Sequence, residues 1–401
     1  MQHRAPNRRD VLRGGAAAAA LAALGRAAAG GERALAGPTL ILVQLTGGND
    51  GLSTVVPYAD DVYGRSRAAT RIAPSEVLRI DDHVGLHPEL KGLRALYDAG
   101  ELAVVQGCGY PAPSRSHFKA LEIWHAADPR GRAAGDGWIG RACDAAFGAQ
   151  ADPCRVVHVG STPPYSLHSA RHGAASFVVP EGYRFVDTEE AVAAYDAATT
   201  AAGAPAAPDR LAFLRGVLHD ARASSGAVRA AAARYKPSTP YPDDPFALDL
   251  MAAAALVHGD VGARVISLEL RGFDTHSGQR ATHDNLMQRL DQGLAAFLRD
   301  LKAGAAGRAA LVLAFSEFGR RVRENGSRGT DHGAAGPMFL AGPRVKGGLH
   351  GRLPSLSELD EGDLVHTTDF RSVYAAAIEA CFGVKASAVL GADVRALELV
   401  G

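Results

Sequence analysis

The sequence predicts an α/β protein in which a doubly wound, mostly parallel central sheet carries helices on both faces. Short runs rich in Val, Ile and Leu recur along the chain, and each ends in Gly, Ser or a polar cluster. Runs that are apolar throughout are typical of strands buried on both faces of a parallel sheet. Helix-like stretches lie between these runs, and a repeated order of strand and helix favours a doubly wound sandwich.

The individual elements follow from the same patterns. Apolar runs predict strands over residues 40–45, 102–107, 156–159, 265–270, 311–315 and 338–340. Helical patterns predict helices over residues 88–99, 116–126, 283–301 and 369–381. Residues 189–234 are instead dominated by Ala and interrupted by Gly and Pro. We interpret this region as part of a helical insertion over residues 189–258, within a single domain that spans residues 37–401.

The N-terminus, residues 1–36, has the order of segments that an export signal needs. Arg8 and Arg9 lie in a basic stretch, a weakly apolar Ala/Leu stretch follows, and a small-x-small site ends at Ala36. The apolar stretch is too short and too rich in Ala to span a hydrocarbon core of about 30 Å, so we expect no permanent membrane anchor. The paired arginines resemble the signal read by the twin-arginine translocase, with a general secretory signal as the alternative. We expect an exported protein, periplasmic or extracellular.

Charge and cysteine usage exclude two kinds of site. Residues 1–36 carry a net charge of +4, so their removal from a formally neutral chain leaves a mature protein near −4. Nucleic-acid binding needs a concentrated Lys/Arg face, and none remains in bulk. The cysteines contain no CxxC pair, which disfavours a thiolate metal site. We expect at most one disulfide among Cys108, Cys143, Cys154 and Cys381.

Polar side chains follow several of the predicted strands. Ligands of an open α/β sheet bind beyond the carboxyl ends of its strands. Asp50, Glu317 and the pair Asp274 and His276 each come directly after such a strand. Residues two apart in an extended segment face the same way, so Asp274 and His276 can reach one ion. Three carboxylates in one crevice are unfavourable unless cations or protons offset them.

A Gly-rich loop then supplies Asp331 and His332. Carboxylates and imidazoles without thiolates suit Zn²⁺, Mn²⁺, Mg²⁺ or Ca²⁺, and we expect one or two such ions. Plain structural explanations also exist, because Asp50 and Glu317 could cap helices and an Asp-x-His is common in turns. The placement of all these residues after separate strands favours a binding site.

Six short motifs occur in a fixed order that resembles one family. They are GGNDG (47–51), SHF (116–118), FDTH (273–276), SEFGR (316–320), TDHG (330–333) and TTDFR (367–371). Together they resemble the exported family called domain of unknown function 1501, a branch of the sulfatase and alkaline-phosphatase-like superfamily. The resemblance spans essentially the whole mature chain and implies an alkaline-phosphatase-like fold. It also implies metal-binding positions at Asp50, Asp274, His276, Glu317 and His332.

The chain departs from the superfamily pattern at two positions. Phe318 stands where the superfamily usually has His, so we expect one of two metal sites to be altered or empty. Pro111 stands at the nucleophile position and cannot attack anything. Ser114 and Ser116 are candidate substitutes, because the helix N-terminus that follows them favours an anion and an activated hydroxyl. A simple N-cap role is the alternative for either serine.

Two functions therefore stay open. In the first, the protein is a metal-dependent hydrolase of phosphate or sulfate esters, in which Arg115 or Arg320 clamps the anion. In the second, it is a non-catalytic envelope protein that binds an anionic ligand, a glycan or a partner protein. The acidic and His residues favour the first, whereas Pro111 and Phe318 favour the second. Fold analogy cannot decide between them, because function resides in the site.

Overall fold

The computed structural model describes residues 38–131, 135–150, 152–169, 171–184, 210–305 and 307–401. The predicted export signal lies outside these residues, as does the first part of the predicted insertion, residues 189–209. No helix within the described ranges is long and apolar enough to cross a membrane.

The strands include the six apolar runs predicted from the sequence, together with further short strands that no apolar run predicted. They are β1 Leu40–Thr46, β2 Val55–Val56, β3 Leu78–Arg79, β4 Gly85–Leu86, β5 Leu102–Gly109, β6 Val156–Val159, β7 Ala174–Phe177, β8 Val265–Arg271, β9 Leu311–Phe315, β10 Arg320–Glu324, β11 Thr330–His332, β12 Gly336–Ala341, β13 Gly348–His350, β14 Leu359–Asp360, β15 Asp363–Leu364 and β16 Thr368–Asp369. Each of the six predicted strands is present.

The helices lie between these strands. They are α1 Gly51–Thr54, α2 Asp61–Ser66, α3 Lys91–Asp98, α4 His117–Ala126, α5 Trp138–Phe147, α6 Arg210–Arg234, α7 Pro245–His258, α8 Gln279–Leu301, α9 Phe370–Phe382 and α10 Ser387–Leu390. Helix α8 begins four residues before the predicted start, because Gly278 adopts a left-handed conformation with φ 51° and lets the chain turn directly into the helix. Helices α6 and α7 agree with the helical composition of residues 210–258; the full extent of the insertion stays a prediction.

A nine-stranded sheet forms the centre of the protein, in the order β13-β5-β12-β9-β1-β8-β6-β7, with β16 also paired to β5. Strand β1 is parallel to both of its neighbours, β8 and β9. Strand β12 alone runs antiparallel to the strands beside it, β5 and β9. The prediction of a mostly parallel α/β sheet is therefore confirmed.

Both faces of the sheet are buried. Ile41 and Val43 of β1 belong to one apolar cluster, together with side chains of α7 and α8. Leu40 and Leu42 belong to a second cluster on the other face, with side chains of α4, α5 and α9. Burying one such side chain contributes about 1.5–3 kcal/mol to the stability of the fold. The apolar side chains on each face therefore hold the helices that cover them. The four cysteines are also buried, and none forms a disulfide in the part of the chain described here.

The pairing of β1 with β8 and β9 decides where the site lies. Thr46 pairs with Arg271, and Gln44 pairs with Phe315, so the three strands end at the same edge of the sheet. The segments that follow them must therefore meet above this edge.

Candidate metal centre

Two short segments lie side by side at the carboxyl edge of the sheet. The backbone N–H of Thr330 donates to the carbonyl of Thr275 at 3.2 Å. Both threonine hydroxyls donate to Oε1 of the buried Gln279, at 3.0 Å from Thr275 and 2.6 Å from Thr330. The threonines thus face the interior, and Asp274 and His276 on either side of Thr275 face outward together.

Asp274, His276 and His332 form the centre of the site. Oδ1 of Asp274 lies 3.0 Å from Nε2 of His276 and 3.0 Å from Nε2 of His332. The two Nε2 atoms lie 2.9 Å apart. Three atoms that are all able to bind a metal thus face one another across a small triangle.

His117, the first residue of α4, approaches the same carboxylate. Its Nε2 lies 3.6 Å from Oδ2 of Asp274. Ligand atoms of His117, Asp274 and His332 all lie within 4.8 Å of one another. We call His117, Asp274, His276 and His332 the imidazole cluster. Three imidazoles and one carboxylate are a ligand set that suits four-coordinate Zn²⁺.

The second nitrogen of each ring supports this fit. Every Nδ1 atom faces an oxygen acceptor: Glu317 Oε1 at 2.9 Å from His117, the Arg115 carbonyl at 2.8 Å from His332, and Asp331 Oδ1 at 3.4 Å from His276. If an ion is bound, an acceptor at Nδ1 holds the ring proton there, so Nε2 can exchange its hydrogen bond with Asp274 for the ion. All three Nε2 atoms point toward the Asp274 carboxylate.

The charges around the cluster keep Asp274 ionised. Partial burial alone would raise the pKa of Asp274, but hydrogen bonds with His332 and Arg320 and the charge of Arg320 outweigh it. The net effect lowers the pKa of this carboxyl to about 2. The hydrogen bond to Glu317 raises the pKa of His117 in the absence of a cation. The cluster therefore holds a carboxylate at neutral pH, the form that a metal needs.

Glu317 lies beneath the cluster and is fully buried. Its Oε1 accepts from the backbone N–H of Gly47 at 2.9 Å and faces Nδ1 of His117, while the Ser316 hydroxyl donates to Oε2 at 3.1 Å. No helix follows Phe315, because the chain turns instead into β10, so the helix-cap alternative for Glu317 is wrong. This carboxylate orients His117.

Asp50 lies apart from the cluster. It is fully buried, and its carboxylate accepts from Arg67 at 2.5 Å, from the Ser53 hydroxyl at 3.2 Å and from the side chain of Gln279. It also caps α1 through the N–H groups of Leu52 and Ser53. Burial alone would raise the pKa of Asp50, but the Arg67 guanidinium holds it well below its usual range. Protein donors already occupy the oxygens that a metal would need.

The two predicted anion clamps are engaged by the protein itself. Arg320 is fully buried and donates to four backbone carbonyls, those of residues 47, 48, 273 and 330, and to Oδ1 of Asp274 at 2.9 Å. Arg115 donates to Asp363 at 2.7 Å and to Glu361 at 3.3 Å. Arg320 thus fixes Asp274 and the loops around it, and Arg115 binds the β14–β15 hairpin.

The two candidate serines lie just before α4. Ser116 is the N-cap residue of this helix, but its exposed side chain makes no capping hydrogen bond. Oγ of Ser114 accepts from the backbone N–H of Ser116 at 3.3 Å. The Ser116 hydroxyl therefore points to solvent one residue away from His117.

Phe318 packs against the cluster from below. Its buried ring has a centroid 5.0 Å from that of His117 and 4.6 Å from that of His332. An apolar side chain thus fills the position where the resemblance implies a further histidine.

Sequence reasoning missed three residues of this region. His117 stood in the SHF motif, directly before a predicted helix, which was a usable signal. Arg67 and Gln279 had none, because they contact Asp50 only through the folded chain.

Comparisons with solved structures return proteins of low identity. A 2-O GAG sulfatase is 10% identical, with a TM-score of 0.34, 78% of this chain covered and 65% of that one. An alkaline phosphatase superfamily protein from Vibrio parahaemolyticus is 10% identical, with a TM-score of 0.34 and coverages of 79% and 63%. The lipoteichoic acid synthase LtaP from Listeria monocytogenes is 10% identical, with a TM-score of 0.34 and coverages of 84% and 76%. The chain thus spans less than two thirds of the length of the first two.

No curated protein matches the sequence. A family model, described as a protein of unknown function (DUF1501), matches residues 38–379. This match covers most of the chain and confirms the family that the six motifs predicted. The chain is therefore a member of the DUF1501 family.

Proposed function

We propose that this protein is an exported, metal-dependent hydrolase of phosphate or sulfate esters. The observation that supports the proposal is the imidazole cluster, in which three Nε2 atoms face one carboxylate and every Nδ1 faces an acceptor. A divalent ion bound there would polarise an ester oxygen and lower the pKa of a water molecule or a serine hydroxyl. The donor set favours Zn²⁺ or Mn²⁺ over Ca²⁺, which prefers oxygen ligands.

We infer one ion per chain. A second ion would need carboxylates that are not already compensated. Asp50 is paired with Arg67. The Glu317 carboxylate accepts hydrogen bonds from Gly47 and Ser316 and contacts the His117 ring. Removing either set of donors would leave buried polar groups without partners, which is costly.

The residues of the chain divide the remaining tasks. Glu317 holds His117, the Arg115 carbonyl holds His332, and Arg320 holds Asp274, so the cluster is fixed before any ligand binds. This preorganisation is what a catalytic centre requires. The exposed Ser116 hydroxyl is the candidate nucleophile, at the N-terminus of a helix that would favour a developing anion.

The hydrogen bonds of Arg115 and Arg320 support a second candidate function. Arg115 and Arg320, which an ester hydrolase would use to clamp its anion, both donate to protein acceptors. A binding protein that uses the cluster to hold an ion and an anionic ligand or glycan, without turnover, needs neither clamp. This alternative predicts metal without hydrolysis.

The test measures metal content and turnover on the same samples. Elemental analysis of the purified mature protein should give about one divalent ion per chain, with hydrolysis of an aryl phosphate or an aryl sulfate. His276→Ala should lose both metal and turnover. Ser116→Ala should keep the metal and lose turnover. His350→Ala is the matched control, because among the described residues the hydrogen bond of this imidazole is to the Lys346 carbonyl, outside the imidazole cluster.

Each failure has a separate meaning. A metal-loaded protein that hydrolyses neither ester class favours the non-catalytic function. A mature protein that takes up no divalent ion, or a His276→Ala variant with unchanged metal content, overturns the metal centre.

Export is a separate part of the proposal. Arg8 and Arg9 should be read as a guanidinium pair, so replacing both by Lys should leave the protein inside the cell although the charge is kept. The measurement is the protein content of the periplasmic and cytoplasmic fractions. Normal export and cleavage of the double variant would show that another pathway carries it.

A further inference from the structure

A cavity of about 570 Å³ lies where three helices end. Helices α6, α7 and α8 end at Arg234, His258 and Leu301. The polar lining of the cavity consists of Arg234, Tyr235, Lys236, Ser238, His258 and Asp300. We call it the helix-end cavity. Its volume lies in the range of roughly 300–1,000 Å³ that is usual for pockets that bind small molecules.

Helix α8 separates the helix-end cavity from the metal centre. At the start of α8, the side chain of Gln279 accepts from the Thr330 hydroxyl beside the imidazole cluster. At its other end, Asp300 lines the cavity. The helix has 23 residues and rises 1.5 Å per residue, so the two sites lie about 30 Å apart. A small ligand in the cavity therefore cannot contact the imidazole cluster.

Asp300 is the acidic residue among the described lining residues, and its carboxylate is already satisfied. Oδ1 accepts from the backbone N–H and from the hydroxyl of Ser238, both at 2.7 Å. Oδ2 accepts from the hydroxyl of Tyr235 and from that of Tyr241 at 3.1 Å. A cation in the cavity would have to displace these buried donors, which is costly. The helix-end cavity is therefore a poor cation site.

The positive and imidazole groups of the lining have no comparable partners. Arg234 and Lys236 are exposed, and within the described ranges neither side chain forms a hydrogen bond or an ion pair. The buried Nε2 atom of His258 also has no hydrogen bond to a described residue. It lies 3.5 Å from Oδ2 of Asp300, which the two tyrosine hydroxyls already occupy. The cavity thus has groups that can receive an anion.

The three helix ends oppose an anion only weakly. A helix C-terminus carries a fraction of a negative charge, which arises from carbonyl groups without hydrogen bonds. Here the backbone N–H groups of Tyr235, Gly259 and Ala303 donate back into the last turns of α6, α7 and α8, at 3.0, 2.9 and 3.0 Å. Arg234 and Lys236 each contribute a full positive charge beside these partly satisfied ends.

We propose that the helix-end cavity binds an organic phosphate, a phosphate monoester whose organic part contains a ring. Such a phosphate has up to two negative charges and three acceptor oxygens, which match the two cations and Nε2 of His258. The cavity is larger than a phosphate group needs. The stacked rings of Tyr235 and His258, with centroids 5.7 Å apart and an interplanar angle of 20°, form a flat wall for the ring of the ligand.

This site goes beyond the function proposed above and does not rest on it. Its test uses the metal-free mature protein, so that no ion in the imidazole cluster attracts phosphate. The chelator is removed by dialysis, because it is itself a polyanion that would compete for the cavity. Isothermal titration at low ionic strength, where charges are little screened, compares glucose 6-phosphate with inorganic phosphate and with glucose.

Arg234→Gln is compared with Arg229→Gln. Arg229 is exposed on the same helix and does not line the cavity, so its substitution removes the same charge from another place. Both side chains are exposed, and thermal unfolding should show equal stability for the two variants. A third variant, Ala303→Trp, keeps every charge and narrows the cavity.

The wild type and Arg229→Gln should bind one equivalent of glucose 6-phosphate with the same affinity. Arg234→Gln should bind it at least about 10-fold more weakly, because a charge-assisted hydrogen bond to the phosphate is lost. Inorganic phosphate should bind about 10-fold more weakly than glucose 6-phosphate, since it makes no contact with the ring wall. Glucose should not bind measurably. Ala303→Trp should lose the preference for glucose 6-phosphate and still bind inorganic phosphate.

Adenosine 5′-monophosphate distinguishes the two kinds of ring. Either phosphate ester supports the site, and the tighter one shows whether a sugar or an aromatic base packs against the wall. Equal affinities for glucose 6-phosphate in Arg234→Gln and Arg229→Gln overturn the proposal. So does a wild type that binds neither ester, or one that binds inorganic phosphate as tightly as both esters.

Discussion

Asp50 and Asp274 each follow a central strand, and their surroundings differ in one decisive respect. Asp50 is fully buried and its partners are a guanidinium, an amide, a hydroxyl and backbone N–H groups of the same chain. Asp274 has half of its side chain exposed, and its partners are the fixed Arg320 and two imidazoles, with a third nearby. The first carboxylate is satisfied by the protein, whereas the second faces groups that can also bind a cation.

This difference shows how much can be predicted about a carboxylate from its position directly after a strand. A carboxylate at that position reaches the crevice, but its role depends on which donors the fold brings to it. A buried ion pair such as Asp50 and Arg67 stabilises the loop that it closes only while both partners are present. An imidazole–carboxylate set at the surface can exchange its internal hydrogen bonds for an ion.

The largest expected effect comes from breaking the buried pair. Arg67→Met leaves the Asp50 carboxylate buried without its counter-charge, since both side chains are fully inaccessible to solvent. We expect a loss of about 3–5 kcal/mol in the free energy of unfolding, measured by urea denaturation. The metal content of the remaining folded protein should stay at one ion per chain.

The double variant Asp50→Asn with Arg67→Met is the control for this prediction. It removes both charges, so it should recover part of the stability that Arg67→Met loses. A second bound ion in Arg67→Met would show that Asp50 becomes a metal ligand once Arg67 is gone. Asp50 would then differ from Asp274 because Arg67 competes with the metal for the Asp50 carboxylate.

The next effect is the loss of a central imidazole. His332→Ala removes the Nε2 atom that lies 2.9 Å from His276 and 3.0 Å from Asp274. Zn²⁺ affinity should fall by at least about 100-fold, and the metal-dependent rise in melting temperature should disappear, because binding stabilises only the folded state. The metal-free melting temperature should change little by comparison with Arg67→Met. Equal Zn²⁺ affinities would exclude His332 as a ligand.

The sheet and the acidic side of the crevice were predictable because they depend on local patterns. Apolar runs marked the strands, and the rule for parallel sheets placed Asp274, His276 and Glu317 at one edge. Alternation along an extended chain then placed Asp274 and His276 on the same side.

The assignment of roles was not predictable, since it depends on which elements become neighbours. Glu317 contacts Gly47 only because β9 lies beside β1 in the sheet. Arg67 reaches Asp50 from a loop after α2, and no periodicity of the sequence marks such a pair. His117 carried a usable signal, because it lies in the SHF motif and begins a helix next to the candidate serines.

A smaller effect is expected from restoring a histidine at the position of Phe318. Phe318→His places a polar ring in a buried position between His117 and His332, at a cost of about 1–3 kcal/mol if the new ring finds no hydrogen-bond partner. Isothermal titration with Zn²⁺ should still give one ion, because the pairs Asp50–Arg67 and Glu317–His117 remain. Two ions in this variant would show that the phenyl ring alone prevents a second site.

The smallest effect concerns pH and the link between His117 and Glu317. The hydrogen bond to Glu317 raises the pKa of His117 above its usual 6.5, and partial burial only partly opposes this. In the metal-free protein, the pair therefore stabilises the fold fully below about pH 6.5, and this contribution is lost as the pH rises through the higher folded-state pKa. The stability difference between the wild type and His117→Gln should accordingly be larger at pH 6 than at pH 9, measured by urea denaturation in the presence of a chelator. Glu317 is buried in both proteins, so the comparison isolates the imidazolium. A difference that grows with pH would mean that burial outweighs Glu317 and that His117 is held as a neutral ring even without an ion.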